Sequence, residues 1–439
     1  MDWFFNEKNS QNRFFFKFYV VIFVIILSFF LKKNKIMLLE FTVGNFLSFK
    51  DKKTFSLEAG SISEHKNNII KEGKFKVLRS AVVYGANSSG KSNFIKALGF
   101  MLETIKNSSK LNSTDNLNVK PFLLCTETEQ KPSFFEILFI DSEKRYRYGF
   151  ELDNDKIHSE WLFVLEANSK KEVPYFVREL EGIGVADIFE EAKGLETKTR
   201  DNGLFISVAD QFNSLVSKNV LRKLSYVKVL SGIDHEDSVS MTNVLYNEDD
   251  LKIELINLIK NLNLGFNNFN INDDTKQKFK NRVSTIHKKY DKEGKFVSDV
   301  EFKMIEQESS GTNKLFDLAG YIVFTLYFGL QLIIDELDSK LHPILTQEII
   351  KIFNNPETNP KNAQLIFTTH DTNLLGANLF RRDQIWFTEK DDFEATDMYS
   401  LLEFRDEDGN TVRKDRSFEK DYIRGRYGAI PYISNFQEV

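Results

Sequence analysis

The chain has 439 residues, 41% hydrophobic and 28% charged, with 59 basic against 64 acidic side chains and a formal net charge of −5. That balance excludes a disordered chain, a collagen-like repeat and a protein that coats nucleic acid by bulk charge. The single cysteine, Cys125, excludes an intramolecular disulfide and a cysteine-based metal site, and points to a reducing compartment.

At the N-terminus, Phe18 to Leu31 is apolar apart from Ser28, and Lys32, Lys33 and Lys35 follow. Such a helix would reach roughly 21 Å, short of the roughly 30 Å hydrocarbon core. Three readings of residues 1–36 stand. They are an upstream extension that is not normally translated, a membrane anchor over 14–31 with the remainder in the cytoplasm, or a buried helix. No small-residue cleavage site follows, which argues against a signal peptide. Met37 stands before Leu38-Leu39-Glu40-Phe41-Thr42-Val43, which reads as the first strand of a soluble domain over 37–439.

The strongest signal comes next. Ala81-Val82-Val83-Tyr84 is a short apolar strand, and Gly85-Ala86-Asn87-Ser88-Ser89-Gly90-Lys91-Ser92 follows at once. From Asn93 to Leu102 the apolar residues recur at helical spacing. This is a phosphate loop in its required strand–loop–helix context. Gly85 and Gly90 allow a tight turn, and the loop N–H groups with the helix N-terminus form an anion nest that includes Asn87, Ser88, Ser89 and Asn93. Lys91 brings a point charge to the outer phosphates, and Ser92 offers a hydroxyl to Mg²⁺.

The middle of the chain supplies fewer signals. Phe134–Ile140 and Arg145–Glu151 read as strands joined at Asp141-Ser142, with a further strand near Trp161 to Glu166. Residues 203–281 read as a small helical insertion, with Leu251, Leu255, Ile256 and Ile259 at helical spacing. Val283–Tyr290 and Lys295–Ile305 form a hairpin around Glu293-Gly294. Arg145, Arg147, Arg282, Lys288 and Lys289 fit either a nucleic-acid surface or ordinary solvated strand faces, the latter favoured by interspersed acids.

The remaining chemistry lies in the second half. Leu330–Ile334 reads as a buried strand ending in Asp335-Glu336. Asp335 is placed to hold Mg²⁺ and Glu336 to act as the base for an attacking water. Ala363–Phe367 is a third apolar strand, running into Thr368-Thr369-His370-Asp371. His370 falls at the edge where a doubly wound sheet binds its ligand, placed to donate to a phosphate. Ser309-Ser310-Gly311 precedes a helix to about Gly329 and reads as an anion site or simply an N-cap.

Phosphate loop, Ser-Ser-Gly-Thr, Asp-Glu and His in this order resemble the ATPase heads of the ABC, SMC and RecF kind. More narrowly, the chain resembles the stand-alone "AAA15" ATPases, related to the overcoming-lysogenisation ATPases of abortive-infection and other phage-defence operons. The resemblance rests on Val43–Phe49, Gly85-Ala86-Asn87, Asp335–Pro343 and Arg424–Pro431. It implies an α/β fold: an ABC-ATPase-like P-loop NTPase head with a flanking antiparallel β-sheet and a small helical lid. It further implies ATP and Mg²⁺ as cofactors and a head-to-tail homodimer closed by ATP. In that dimer Ser309, Ser310 and Gly311 would touch the partner's nucleotide, with Asp338 near the interface. The signature departs from the transporter Leu-Ser-Gly-Gly, which argues against a transporter subunit. No AAA+ sensor-arginine pattern is present, so no hexameric ring is expected.

The function expected from the resemblance is an ATPase switch gating a separate Toprim-like or RloB-like effector nuclease from the same operon. The alternative is a DNA-repair-like, RecF-type ATPase acting directly on nucleic acid. Only 69 residues follow His370. Their acidic run Asp406-Glu407-Asp408-Gly409-Asn410 reads as a polar turn rather than a nuclease site.

Overall fold

The computed structural model describes residues 36–231, 241–266, 268–272, 279–406 and 408–431. The apolar run at 14–31 lies outside them. No helix among the described residues is long and apolar enough to cross a membrane. The chain divides into a larger compact unit made of 36–233, 330–339 and 349–439, and a smaller one made of 234–329 and 340–348.

The larger unit opens with β1 (Met37–Gly44), β2 (Lys53–Ser56), the hairpin β3 (Ile69–Glu72) and β4 (Phe75–Leu78), then β5 (Ser80–Gly85), which runs through a loop into helix α1 (Lys91–Asn107). A meander follows: β6 (Ser133–Asp141), β7 (Lys144–Leu152), β8 (Ile157–Leu165), β9 (Val173–Glu179) and β10 (Gly182–Val185). Helices α2 (Phe205–Gln211) and α3 (Leu215–Leu224) lead to β11 (Lys228–Ser231). The smaller unit holds α4 (Met241–Tyr246), α5 (Asp249–Asn261), the sheet β12 (Asn268–Ile271), β13 (Val283–Tyr290) and β14 (Phe296–Lys303), then α6 (Met304–Gln307) and α7 (Ser310–Phe328). The chain ends with β15 (Gln331–Asp335), α8 (Pro343–Asn354), β16 (Gln364–Thr368), α9 (Asn373–Gly376), β17 (Ile385–Lys390), β18 (Thr396–Ser400) and α10 (Phe418–Ile423).

Two sheets build the larger unit. The first is antiparallel, in the order β10-β9-β8-β7-β6-β1-β2. The second runs β11-β15-β16-β5-β17-β18, parallel except for β18. Its central strands are the continuous apolar runs of the sequence, as a sheet covered on both faces requires. Every residue of β5 is buried. Helix α1 touches β1 of the first sheet and β5, β11 and β15 of the second. Its Phe94 lies 5.9 Å from Phe41 and 5.0 Å from Phe55, and Phe55 lies 5.0 Å from Trp386 of β17. Phe100 lies 5.2 Å from both Phe46 and Phe135. Each ring pair adds about 0.5–1.5 kcal/mol beyond area burial, so this chain of rings strongly fixes the helix that starts at the phosphate loop.

Two buried glutamines tie β1 to the second sheet. Gln364 donates to the Leu38 and Leu78 carbonyls at 3.0 and 3.1 Å and accepts from the Leu38 N–H at 2.7 Å. Gln331 donates to the Ile36 carbonyl at 2.7 Å. Ile36 and Met37 are buried in the core.

The segment read as one helical insertion over 203–281 divides. Its first part, α2 and α3, belongs to the larger unit, while 234–281 belongs to the smaller. Between α3 and α4 the chain forms β11, which pairs in parallel with β15, Val229 opposite Ile333. Four residues carry too little periodicity to reveal a strand, and only the edge offered by β15 makes one. The hairpin at 283–303 forms with its turn at Asp291–Gly294, where the Asp291 N–H donates to the Lys295 carbonyl at 2.9 Å. Of the acidic run at 406–410, Glu407 lies outside the described residues; the Asp406 N–H donates to the Asn410 carbonyl at 3.1 Å and the Gly409 N–H to the Asp406 carbonyl at 2.8 Å.

Glu160 shows how the start of α2 is fixed. Its carboxylate is fully buried and accepts from Tyr148 Oη at 3.0 Å and from the Phe205 and Ile206 N–H groups at 2.6 and 3.1 Å. Burial pushes the carboxyl above its ordinary value, and the Arg178 charge opposes that shift. Replacing Glu160 by alanine orphans three donors, each worth about 1–3 kcal/mol. Glu160→Ala should lower unfolding stability by at least about 3 kcal/mol, read as a lower urea midpoint; an unchanged midpoint would contradict this account.

Candidate nucleotide-binding site

Strands β15, β16 and β5 lie side by side and parallel, so their C-terminal ends come out at one edge of the sheet. Open α/β sheets bind ligands at this edge. The phosphate loop leaves β5 there, Asp335-Glu336 leave β15, and Thr369-His370 leave β16.

Within the loop, Asn87 and Ser88 are exposed while Ser89, Gly90 and Lys91 are buried. Ser88 has φ +64° and Gly90 φ +114°, and Gly90 is the N-cap of α1. A Cβ at Gly90 would run into the Thr396 side chain, and one at Gly85 into Ser89 and Thr388. Both positions therefore need glycine to let backbone come this close. The Lys91 ammonium sits on the Gly85 and Ala86 carbonyls at 2.7 and 2.9 Å. Burial pulls its pKa from 10.5 down to about 8, against the opposing charges of Asp335, Glu336 and Asp338.

Three hydroxyls brace the loop: Ser48 from the Val43–Phe49 motif, and Thr388 and Thr396, which carry no signal in the sequence. Ser89 Oγ meets Thr388 Oγ1 at 2.8 Å. Thr396 Oγ1 donates to the Ser89 carbonyl at 3.0 Å, which leaves Ser48 Oγ, 2.7 Å away, to donate to it, and the Thr396 N–H donates to the Ser48 carbonyl at 2.7 Å. Asn93 Nδ2 donates to Ser48 Oγ at 2.8 Å, so its side chain is engaged with this lattice. Asn45 holds the turn that presents Ser48. At φ +47°, it donates to the Thr128 and Lys131 carbonyls at 2.8 Å each and accepts from the Phe122 N–H at 3.0 Å. The Asn-Phe-Leu-Ser-Phe motif is thus a brace for the loop. Beside it opens a cleft of about 500 Å³ bordered by Leu47, Ser48, Asn93, Phe122 and Lys390.

Across β16, Asp335 is half-buried at the end of β15, and its Oδ1 accepts from Thr368 Oγ1 at 2.6 Å. Glu336 follows with φ +53°, its N–H donating to Thr368 Oγ1 at 2.7 Å. Asp338 Oδ2 lies 3.4 Å from the His370 N–H, while its Oδ1 is buried with no hydrogen-bond partner among the described residues. His370 is solvent-reached. Loss of surrounding water, then the Lys91 charge, holds its imidazole below the ordinary value against Asp338, Glu336 and Asp335. Lys91, Asp335, Glu336, Asp338 and His370 therefore share one electrostatic cluster.

The signature residues belong to the smaller unit. Ser309 is the N-cap of α7, its Oγ accepting from the Thr312 N–H at 3.0 Å, so this hydroxyl serves the cap. Ser310 is exposed, and a Cβ at Gly311 would lie 2.6 Å from the Lys340 carbonyl. Glu308, just before the signature, accepts from Thr285 Oγ1 at 2.5 Å and faces His287 Nε2 at 2.7 Å, a tie that sequence separation hides.

Of the basic residues considered for nucleic acid, Arg145 pairs with Glu172 at 2.8 Å, and Arg147 pairs with Glu136 and Glu172 and covers the Phe163 ring. Their charges are neutralised in the sheet. Arg282 Nε donates to the Asn272 carbonyl at 2.6 Å. Lys289 is exposed, and Lys288 lies beside it on β13.

The residues fit a nucleoside triphosphate with Mg²⁺. The glycines leave backbone open where a Cβ would intrude, Lys91 supplies a cation, and Ser92 with Asp335 offers two hard oxygens. Two protein oxygens suit Mg²⁺, which keeps its other positions for phosphate and water.

No curated protein matches the chain. Among solved structures, an SMC head domain from Thermotoga maritima is 12% identical with a TM-score of 0.40, covering 83% of this chain and 98% of that one. An SMC head bound to the C-terminal winged-helix domain of ScpA is 14% identical with a TM-score of 0.43, covering 83% and 97%. An SMC head with an extended coiled coil, bound to the C-terminal domain of ScpA derived from Pyrococcus furiosus, is 15% identical with a TM-score of 0.41, covering 83% and 96%. One family profile, described as "AAA domain, putative AbiEii toxin, Type IV TA system", matches residues 80–376. That span runs from the start of β5 through the phosphate loop, Asp335-Glu336 and His370, and the chain belongs to this family of P-loop ATPases.

Proposed function

We propose that the chain binds ATP with Mg²⁺, hydrolyses it to ADP and phosphate, and closes on ATP into a head-to-tail homodimer that switches a separate effector in antiphage defence. The observation that carries this reading is the single cluster of Lys91, Asp335, Glu336, Asp338 and His370 at the ends of three adjacent strands.

In this reading the loop N–H groups of 86–91 and the N-terminus of α1 hold the phosphates, and Lys91 supplies charge to the outer two. The cleft beside Leu47 and Phe122 offers apolar walls to the base. Ser92 and Asp335 would hold Mg²⁺, which when bound neutralises charge on the phosphate oxygens. Glu336 takes the proton of the attacking water. His370, held toward its neutral form, donates one N–H to the outer phosphate. Ser310 and Gly311 of one copy complete the site of the other, with Asp338 beside that interface. The family description, which names an AbiEii toxin and a Type IV TA system, and the resemblance to phage-defence ATPases support the defensive role. The effector in this reading is a separate chain, such as a Toprim-like or RloB-like nuclease. Such a system acts in the cytoplasm.

Two tests follow from these roles. Glu336→Gln should keep ATP binding, lose turnover and form an ATP-dependent dimer in light scattering, whereas Lys91→Ala should not bind. A Glu336→Gln variant that hydrolyses at the wild-type rate removes Glu336 as the base. Co-purification of this variant with ATP and Mg²⁺ from cells carrying its neighbouring genes should recover a nuclease-like partner; recovery of nucleic acid alone would transfer the function to direct DNA action. Separately, Lys91 must be charged to hold phosphate, and its pKa in the free protein is about 8. Affinity for ATP, measured by calorimetry, should therefore fall as pH rises above about 8, by up to about tenfold per unit, and Lys91 should add no pH dependence below it.

A further inference from the structure

The reaction as described assigns no part to Thr368, the last residue of β16, yet this side chain joins the two carboxylate residues of the site. It is fully buried. A threonine hydroxyl has one proton and two lone pairs. Here the proton goes to Asp335 Oδ1 at 2.6 Å, and a lone pair takes the Glu336 N–H at 2.7 Å. The Thr368 carbonyl accepts the next N–H, that of Leu337, at 3.1 Å. One residue thus receives the chain as it leaves β15.

Two physical consequences follow. First, Asp335 has one carboxylate oxygen fixed by a charge-assisted bond, so the rotation that aims its other oxygen, Oδ2, is set. Among the described residues Oδ2 has no hydrogen-bond partner. Secondly, Glu336 stands in the left-handed region at φ +53°, where a residue with a side chain is strained by about 1–2 kcal/mol. The bond from its N–H to Thr368 is a contact that can hold it there. In the extended conformation a strand would otherwise continue, and its side chain would point elsewhere.

We propose that Thr368 is a positioning residue for the reaction: its hydroxyl orients the Asp335 carboxylate toward the divalent cation and holds the Glu336 backbone in the conformation that carries the base. The inference rests on the proposed roles of Asp335 and Glu336. It separates two functions of the site. Phosphate binding by the loop does not pass through Thr368, whereas cation binding and proton abstraction do. Residues that orient metal-binding groups typically change metal affinity or activity by about 10–100-fold when removed.

The experiment uses the full chain with a fluorescent ATP analogue, titrated with Mg²⁺ from an EDTA-treated start, alongside turnover. Thr368→Val removes the hydroxyl at similar size, Thr368→Ala removes it with less bulk, and Thr368→Ser keeps it. Valine and alanine variants should bind the analogue without Mg²⁺ as the wild type does, require at least about tenfold more Mg²⁺ for the Mg²⁺-dependent gain, and lose kcat with little change in KM. Serine should restore both. Wild-type Mg²⁺ dependence in a hydroxyl-free variant overturns the proposal. So does an equal loss in the serine variant, which would assign the effect to the methyl group. If the valine variant fails to fold, the alanine variant decides. A wild-type protein that shows no Mg²⁺-dependent binding at all overturns the ATPase reading itself and the role of Thr368 with it, a result the variants alone cannot mimic.

Discussion

Strand β16 is the constraint on which the site depends. It lies between β5 and β15, and a central parallel strand must satisfy backbone groups on both sides. Its register therefore fixes where the other two strands end: Leu365 to Thr368 pair with Ser80 to Val83, and Gln364 to Phe367 with Gln331 to Ile334. The buried side chains at its ends extend this control. Gln364 holds the backbone of β1 and β4, and Thr368 holds Asp335 and Glu336. A shift of β16 by one residue would carry Gln364 and Thr368 to the opposite face and away from the partners they hold, so these two polar ends pin its register.

The phosphate loop gains its shape from outside itself. Its own residues provide the close turns and the cation, but the loop is braced by Thr388 of β17, Thr396 of β18 and Ser48 of the β1–β2 turn. Thr396 fills the space that a side chain at Gly90 would need. The aromatic chain through Phe55, Phe94 and Trp386 then locks α1 against both sheets. Polar bonds set the loop and apolar burial holds its helix, so the nest is preformed and a ligand need not order it.

The smaller unit presents the signature by similar means. Ser309 caps α7 and Glu308 is held by Thr285 and His287 of β13. The start of the helix is thus tied to the β13–β14 hairpin. Arg145 and Arg147, which a count of charges would offer to a polyanion, instead neutralise Glu136 and Glu172 across neighbouring strands. Half-buried pairs of this kind satisfy each other before any partner arrives.

The sequence by itself determined which residues are candidates for the site. The phosphate loop is legible because its residue types stand at fixed offsets between a strand and a helix, and Asp335, Glu336 and His370 because they stand just past the ends of continuous apolar runs. The central strands were legible for the same reason: burial on both faces leaves an unbroken apolar run. Only the tertiary structure decided the order of the strands, the existence of β11, the division of 203–281 between two units, and the braces. Ser48 and Thr396 stand 348 positions apart, and Thr368 and Asp335 stand 33 apart. A hydroxyl in a sequence carries no sign of which partner it will meet. That partner is chosen by strand register, which the packing of the whole sheet sets and no local pattern records.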